Sequence, residues 1–199
     1  MIRPFGYAKI NMYFKYIFNL SLQKIFKFDS WHLSSIDSRP YCLDLVDYIN
    51  SVLSFNSTVV EVGCGLGENL IKIKSKNKIG FDISRNVIKA AKFKYFFHNA
   101  KFKIGSLENI KDLNIDFLIA VNFLHDYHPK DVESQFEIFL SRNRIDHILL
   151  DIIDREKYNN YKFYHDFEFL KKNFFLSKKI SNNYNFGRSI VVLTRKKNV

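Results

Sequence analysis

The pattern of apolar and polar positions divides the chain after residue 57 into short apolar runs that alternate with segments of helical periodicity. Such alternation is typical of a mostly parallel sheet with helices on both faces. Helix signals stand at Ser84, a good N-cap before the apolar stretch 87–91, and at Pro129, which suits the first turn of a helix over 131–140. The predicted strands are 58–62, 78–82, 101–104, 116–121 and 147–153.

The end of the chain departs from this alternation. A helical pattern covers 164–175, and two runs of strand-forming residues, 175–180 and 189–195, are separated by a stretch rich in Asn and Gly at 181–187. Asn and Gly favour turns, so the two runs predict an antiparallel hairpin. The predicted fold is therefore α/β, a Rossmann-like doubly wound sheet of about seven strands, mostly parallel with a C-terminal antiparallel hairpin.

Apolar side chains also recur at near-helical spacing over residues 8–28, interrupted by Ser21. We expect one or two amphipathic helices there, either packed on the sheet or lying as a basic, aromatic helix on a membrane or over the substrate. With 199 residues the chain is long enough for one well-packed core. We expect a single domain with a helical extension at 1–38 and a sheet-bearing core at 39–199.

The composition argues against a secreted or membrane-spanning protein. Cys42 and Cys64 are the only cysteines, so no disulfide framework is expected and a reducing compartment is favoured. The uncharged stretches near the N-terminus, such as 16–23, are far shorter than the roughly 20 apolar residues of a membrane span. No signal-peptide pattern precedes them. We therefore expect a cytoplasmic location and no transmembrane segment.

Charge is concentrated at the two ends of the chain. Residues 1–28 contain five basic and no acidic side chains, and residues 169–199 contain eight basic and no acidic ones, within a net charge of +11. Such ends suit an anionic surface, whether nucleic acid, phosphoglycan or membrane. The alternative is that the abundance of lysine reflects only the codon usage of an AT-rich genome.

The first predicted strand runs directly into a turn at 63–67, with glycine at positions 63, 65 and 67, and a helix-compatible segment follows at 68–74. Glycines allow the turn and let a ligand approach the backbone closely. A dinucleotide fingerprint would place its third glycine at position 68, where this chain has Glu68. Because a carboxylate there opposes a pyrophosphate, the spacing favours a ligand with an adenosine and an amino-acid tail but no phosphate.

A second signal comes 19 residues after Gly63, where Asp82 closes the second predicted strand. An acidic side chain at this place accepts hydrogen bonds from ribose hydroxyls. Ile83, the next residue, suits packing against an adenine face. The alternative for Asp82 is a helix N-cap.

These features resemble the class I S-adenosylmethionine-dependent methyltransferases, whose first motif is an acid followed by G-x-G-x-G and whose second is an acid at the end of the second strand. The resemblance covers residues 39–199. It implies S-adenosylmethionine as cofactor, with Glu61 orienting its methionine end. By the same resemblance the cofactor is lined by Gly63, Cys64, Gly65, Gly67, Ser106, Leu107 and Asn122, with Ser106 standing where many members have Asp.

The segment 31–41 is similar to the helix that leads into the sheet in bacterial polysaccharide-cluster methyltransferases. Within it Arg39 has two open interpretations. It either pairs with the methionine carboxylate, since a guanidinium suits carboxylates in bidentate geometry, or forms a surface ion pair.

The acceptor pocket is expected near the end of the fourth strand. His125 is the candidate base, because a neutral imidazole takes a hydroxyl proton at physiological pH. Asp126 and His128 compete for that role or cap the helix that Pro129 begins. Metal-assisted transfer through Asp151 and Asp154 is the other route, but the fourth strand ends in Asn122 and not in a carboxylate, so no metal is expected.

The leading hypothesis is O-methylation of a sugar, a glycan or a small hydroxylated metabolite. The chain lacks the Asn/Asp-Pro-Pro-aromatic motif of enzymes that methylate exocyclic base amines, because the sequence at that place reads Asn122-Phe123-Leu124-His125. Two alternatives remain open: an RNA-directed methyltransferase that uses the basic ends, and a methyltransferase fold that serves as a non-catalytic interaction module.

Overall fold

A computed structural model describes residues 5–180 and 187–197, with side chains from residue 12 onward. These residues contain one seven-stranded sheet with the strand order β3-β2-β1-β4-β5-β7-β6. The strands are β1 Thr58–Val62, β2 Asn77–Asp82, β3 Lys101–Ile104, β4 Asn114–Ala120, β5 Arg144–Ile153, β6 Phe174–Ile180 and β7 Arg188–Arg195.

The first five strands are parallel, and β7 lies antiparallel between β5 and β6. The predicted fold class is thus confirmed, and each predicted strand is present with its bounds moved by at most three residues. The strand order reverses between β1 and β4. In open parallel sheets such a reversal leaves a crevice at the carboxyl ends of the strands, where ligands bind.

The described residues form five α-helices: α1 Phe5–Phe26, α2 Pro40–Val52, α3 Glu68–Lys72, α4 Arg85–Lys94 and α5 Pro129–Arg142. Short 3-10 turns occupy Ser30–Leu33, Ile36–Ser38, Leu107–Asn109, Leu124–Asp126 and Glu168–Lys172. The two predicted helix starts are confirmed. The Ser84 hydroxyl accepts the Val87 amide at 3.4 Å, and Pro129 opens α5 where the ring of His128 accepts the Lys130 amide at 3.3 Å.

Apolar side chains fill both faces of the sheet, as expected of parallel strands covered on each side. Alternate residues of β1 point to opposite faces: Val60 packs in the cluster that contains Phe136 of α5, whereas Val59 packs in the cluster that contains Leu45 of α2. All four side chains are inaccessible to solvent. The sheet is therefore the rigid support on which the loops at its carboxyl edge are placed.

The predicted helix over 164–175 is wrong. Phe167 adopts a left-handed backbone with φ of 56°, which an α-helix cannot contain, and only a 3-10 turn follows before β6 begins at Phe174. Phe167, Leu170 and Phe174 recur at helix-like intervals because this segment packs against the core, where all three side chains are buried. The predicted loop 181–187 lies outside the described residues except for Gly187.

At the N-terminal end the structure has one helix, α1, where one or two were predicted. The segment 31–41, similar to a leading helix by sequence, forms two 3-10 turns before α2 begins at Pro40. Cys42 and Cys64 are both buried and free. Among the described helices, none combines the length and the hydropathy needed to cross a lipid bilayer.

Candidate functional site

Two cavities meet at the carboxyl ends of β1 and β4, where the strand order reverses. They share Trp31, His32, Gly63 and Phe123 in their walls. The inner cavity, of about 40 Å³, is further lined by Ser34, Arg39, Glu61, Cys64, Gly65, Leu66, Glu68, Asn69, Val121 and Asn122. The outer cavity, of about 210 Å³, is further lined by Asp29, Val62, Asp82, Ile83, Ser84, Gly105, Ser106, Leu107, Asp126, Tyr127 and Gln135.

The glycine turn forms the floor between the two cavities. Gly63 has a φ of 67° and Gly65 a φ of 53°, both in the left-handed region that side chains avoid. The Phe123 ring lies where a Cβ on Gly63 would stand, and His32 Nδ1 lies 3.1 Å from the corresponding point on Gly65. A side chain at either position would therefore press against one of these rings, which form walls of both cavities. Gly67 contacts Phe102 instead and lines neither cavity.

The inner cavity contains buried polar atoms without partners. Glu61 Oε1 accepts the Asn69 amide at 2.6 Å, but Glu61 Oε2, Asn69 Oδ1 and Arg39 Nε have no partner among the described residues. Burial raises the pKa of Glu61 to about 8. Unpaired buried polar groups are costly, so this trio marks a place prepared for a polar ligand. Two of its members, Glu61 and Arg39, were predicted from the sequence.

Asp82 stands in the outer cavity at the end of β2. Its two carboxylate oxygens accept the Gly65 amide at 3.0 Å and the Ser84 amide at 2.9 Å. The carboxylate thus ties the glycine turn to the start of α4, while Ser84 and not Asp82 caps that helix. Ile83 is exposed beside it, at the mouth of the cavity.

The turn after β3 closes the far side of the outer cavity. Leu107 is buried and contributes an apolar wall. Ser106 forms a capping box with Asn109: the Ser106 amide donates to Asn109 Oδ1 at 2.8 Å. Both residues line the outer cavity.

The three candidates for the acceptor chemistry lie in different surroundings. His125 is buried with Nε2 3.2 Å from Asp151 Oδ2, and it lines neither cavity. His128 caps α5. Asp126 is exposed and lines the outer cavity.

Asn122 lies at the centre of a network that the sequence analysis missed. It follows β4 with a φ of 72°, and its backbone amide donates to Asp151 at 3.2 Å. Its side-chain oxygen accepts hydrogen bonds from the Tyr41 hydroxyl, at 2.6 Å, and from the Arg188 guanidinium. Arg188 in turn donates to Asp151 at 2.7 Å and to the Tyr161 hydroxyl. The network fixes which way the carboxamide points.

Arg188 itself is held between two phenol rings. The guanidinium carbon lies 4.5 Å from the centre of the Tyr41 ring and 5.4 Å from that of Tyr161. Burial acts to lower the pKa of Arg188, but Asp151 and the two phenols outweigh it and raise the pKa. The one sequence signal for a buried Arg188 was its position at the start of a strand. That position is equally compatible with an exposed arginine.

Trp31 and His32 form a cover over the cleft, since they line both cavities. The Trp31 and His32 rings stack with centroids 3.7 Å apart, and burial lowers the pKa of His32 and so favours the neutral imidazole. Glu68 holds the cover in place: its carboxylate accepts the Ile36 amide and the Lys94 ammonium, the latter at 2.7 Å. No feature of the sequence around Glu68 indicates this role.

Within the described ranges, no three His, Cys, Asp or Glu side chains converge as a metal site would require. Asp151 is fully buried and paired with Arg188 and His125. Asp154 lies 3.5 Å from Lys157 on the surface.

The unpaired atoms of the inner cavity fit the amino-acid tail of S-adenosylmethionine. A carboxylate and an amide oxygen, those of Glu61 and Asn69, match an ammonium group, and the Arg39 guanidinium matches a carboxylate. Asp82 and the apolar wall of the outer cavity match a ribose and an adenine. The polar and apolar groups that line the two cavities thus fit the chemistry of these parts of the cofactor.

Solved structures of methyltransferases share this fold at low sequence identity. The N-methyltransferase NodS from Bradyrhizobium japonicum WM9, in complex with S-adenosyl-L-homocysteine, has a TM-score of 0.69 and 12% identity, covering 89% of this chain and 98% of its own. Magnesium protoporphyrin IX methyltransferase from Synechocystis PCC 6803, with bound S-adenosylmethionine, has a TM-score of 0.67 and 13% identity, covering 98% and 100%. The small RNA methyltransferase HEN1 has a TM-score of 0.61 and 18% identity, but only 25% of its chain is covered, against 81% of this one.

No curated protein sequence matches the chain. The methyltransferase-domain family, in contrast, matches residues 53–167, more than half of the chain. This range includes the glycine turn, Asp82 and the segment that follows β4. The chain therefore belongs to the methyltransferase-domain family and is a methyltransferase that depends on S-adenosylmethionine.

Proposed function

We propose that the protein methylates an oxygen atom of a hydroxylated small molecule, a sugar or a glycan. S-adenosylmethionine supplies the reaction with a methyl group on a positively charged sulfur, and transfer is a displacement in line with that carbon–sulfur bond. Alignment of donor and acceptor then contributes much of the rate. The residues around the two cavities provide that alignment.

In this proposal the inner cavity holds the amino-acid end of the cofactor. Glu61 and Asn69 accept from its ammonium group, and Arg39 donates to its carboxylate. Asp82 accepts from the ribose hydroxyls, and Ile83, Ser106 and Leu107 enclose the adenine. Gly63, Cys64 and Gly65 supply the surface on which the cofactor lies, and Gly67 shapes the turn.

The orientation of the Asn122 side chain is the observation that favours an oxygen over an amine as the methyl acceptor. Its Oδ1 already accepts from Tyr41 and Arg188, which uses both lone pairs of that oxygen. Its Nδ2 contacts a weak acceptor, the Cys42 sulfur, at 3.8 Å, and so keeps a donor for a ligand. In this proposal the acceptor atom lies beside Asn122 at the end of β4, next to the sulfur of the cofactor, and Asn122 offers it a hydrogen-bond donor.

A donor at this place suits an oxygen and not an amine. An attacking oxygen directs one lone pair at the methyl group and accepts a hydrogen bond with another. An attacking amine has a single lone pair, and its N–H groups need acceptors. With Oδ1 occupied, Asn122 cannot provide one.

Transfer to a hydroxyl also requires a proton acceptor. Among the side chains that line the outer cavity, the candidates are Asp126, which follows β4, and the neutral imidazole of His32. In this proposal His125 positions Asp151 through their hydrogen bond, and His128 caps the N-terminus of α5.

The test compares acceptors that differ at a single atom. Nucleotide sugars with a hydroxyl, and the same sugars with an amine at that carbon, are incubated with labelled S-adenosylmethionine, and products are identified by mass spectrometry. We expect methylation of the hydroxyl compounds and loss of product in Asn122→Asp, which replaces the donor with an acceptor. Preferred methylation of the amines would overturn the proposal.

A short RNA in the same screen addresses the second hypothesis. Two basic side chains of the charged ends already have partners within the protein, because Arg188 is buried against Asp151 and Lys15 pairs with Asp37. This weakens the case for a phosphate-binding rim. Methylated RNA as the sole product would also contradict the proposal, and failure of a folded protein to bind the cofactor would favour the non-catalytic alternative.

A further inference from the structure

α1 carries most of its described apolar side chains on the side that faces away from the protein, although Leu22 is buried against it. Phe14 and Ile25 are each 66% exposed and Tyr13 is 63% exposed. At 100° per residue, the exposed apolar residues follow one another around the helix over an arc of about 200°. We call this arc the outer face of α1, and its members are Tyr13, Phe14, Tyr16, Ile17, Phe18 and Ile25.

The side of α1 that faces the protein buries Leu22 in its second half, but over residues 13–19 it is polar. Asn19 is fully buried, donates to the Leu33 carbonyl at 3.1 Å and accepts from Lys94 at 2.8 Å. Lys15 pairs with Asp37 on the same side. Water-soluble helices have the opposite arrangement, with the apolar stripe inward. The polarity of this part of α1 is therefore inverted, and its outer face is made for an apolar partner.

The apolar surface continues beyond the helix. The Phe26 ring lies 5.7 Å from that of Phe93 on α4, which is 60% exposed. A patch of aromatic side chains on this scale is rare on the surface of a soluble monomer and marks a site of interaction.

The charges around the outer face are positive. No acidic residue precedes Asp29 in the sequence. Lys24 is exposed within the arc of the outer face, and Lys27 is exposed directly after the helix. The partner should therefore combine an apolar interior with an anionic rim.

We propose that the outer face of α1 binds the interface of an anionic lipid bilayer. Phenylalanine and isoleucine side chains enter the boundary between headgroups and acyl chains, tyrosines lie at the headgroups, and the lysines contact lipid phosphates. A second copy of the chain fits less well, because both copies would bring the same positively charged face to the contact. Binding of the bilayer does not depend on which acceptor the enzyme uses.

The position of the outer face relates the bilayer to the cleft. α1 leads through residues 27–29 into the 3-10 turn that carries Trp31 and His32, the cover of both cavities. Trp31 is itself 62% exposed. A bilayer on α1 therefore lies next to the cleft, which suits an acceptor presented at the membrane surface.

The test is flotation of the full-length protein with vesicles of phosphatidylcholine alone or mixed with phosphatidylglycerol. We expect wild type to float with the mixed vesicles and to remain unbound with phosphatidylcholine alone. Phe14→Gln/Phe18→Gln should abolish flotation, and Lys24→Gln should reduce the affinity about fivefold. Phe55→Gln is the matched control, because Phe55 is 69% exposed before β1 and belongs to no part of the outer face, and it should float like wild type.

Calorimetric titration with S-adenosylmethionine verifies that each variant is folded, and all should bind the cofactor as wild type does. Failure of folded wild type to float, or flotation unchanged in Phe14→Gln/Phe18→Gln, would refute the proposal. Sedimentation equilibrium provides a third readout: a dimer that the same double substitution dissociates, without flotation, would assign the outer face to a second copy instead.

Discussion

Asn69 donates a hydrogen bond of 2.6 Å to Oε1 of Glu61, and the other carboxyl oxygen of Glu61 has no partner in the described part of the chain. Half of this buried acid is thus satisfied by the protein and half is left to a ligand. The consequence is a site whose protonation state depends on what it binds.

Cofactor affinity should therefore depend on pH through Glu61. Burial raises the pKa of this carboxyl group to about 8, so below that pH the free site carries a proton. A cationic ligand favours the carboxylate, and the proton must leave on binding. Between about pH 6 and 7 the affinity should rise close to tenfold, with uptake of the released proton by the buffer in calorimetry. Glu61→Gln should bind weakly and without this dependence, and a wild-type affinity that is flat over this range would contradict the assignment.

Asp82→Asn should weaken cofactor binding by roughly 10- to 100-fold, because a neutral amide is a poorer acceptor for ribose hydroxyls and its NH₂ opposes the amides of Gly65 and Ser84. Asp112→Asn is the matched control. Asp112 is exposed before β4, at the other edge of the sheet, and its φ of 58° is tolerated by asparagine. Titration calorimetry of both variants decides the matter, and equal affinities would remove Asp82 from the site.

Tyr41→Phe should lower kcat roughly fivefold and leave the affinity for the cofactor almost unchanged. The substitution removes one of the donors to Asn122 Oδ1 but keeps the ring against Arg188. Tyr48→Phe, two turns further along α2, should behave like wild type. A change in cofactor affinity with constant kcat would show that Tyr41 acts on the cofactor and not on Asn122.

Arg188→Met should reduce the free energy of unfolding by about 3–5 kcal/mol, since it leaves the fully buried Asp151 without its cation. Arg144→Met is the control: its pair with Asp146 is 3.7 Å long and its side chain is 72% exposed, so the loss should stay below about 1 kcal/mol. Urea unfolding measures both. Adding Asp151→Asn to Arg188→Met should recover part of the loss, and failure to do so would mean that Arg188 contributes through its aromatic contacts.

Strands β1, β4, β5 and β7 were predictable because each contains a local apolar run, and the glycine turn because it follows β1 directly. The helix predicted over 164–175 failed because Phe167, Leu170 and Phe174 are buried by the sheet and α5, and their spacing imitates a helical stripe. Local periodicity cannot distinguish the two cases.

The network around Asn122 was not predictable for a different reason. Tyr41 and Asn122 are separated by 81 positions, and Asn122 and Arg188 by 66. Nothing in the local sequence of any of the three indicates a partner so distant. The topology of the sheet places them together: Asn122 follows the carboxyl end of β4, and the antiparallel β7 begins with Arg188 beside the carboxyl end of β5.

Glu68 links ligand selectivity to access. It occupies the place where a dinucleotide fingerprint has glycine, and the same carboxylate holds the cover through Ile36 and Lys94. A Glu68→Gly exchange intended to convert the turn for pyrophosphate would therefore also release the segment that carries Trp31 and His32. Redesign of this enzyme for a dinucleotide would have to rebuild the cover of the cleft together with the glycine turn.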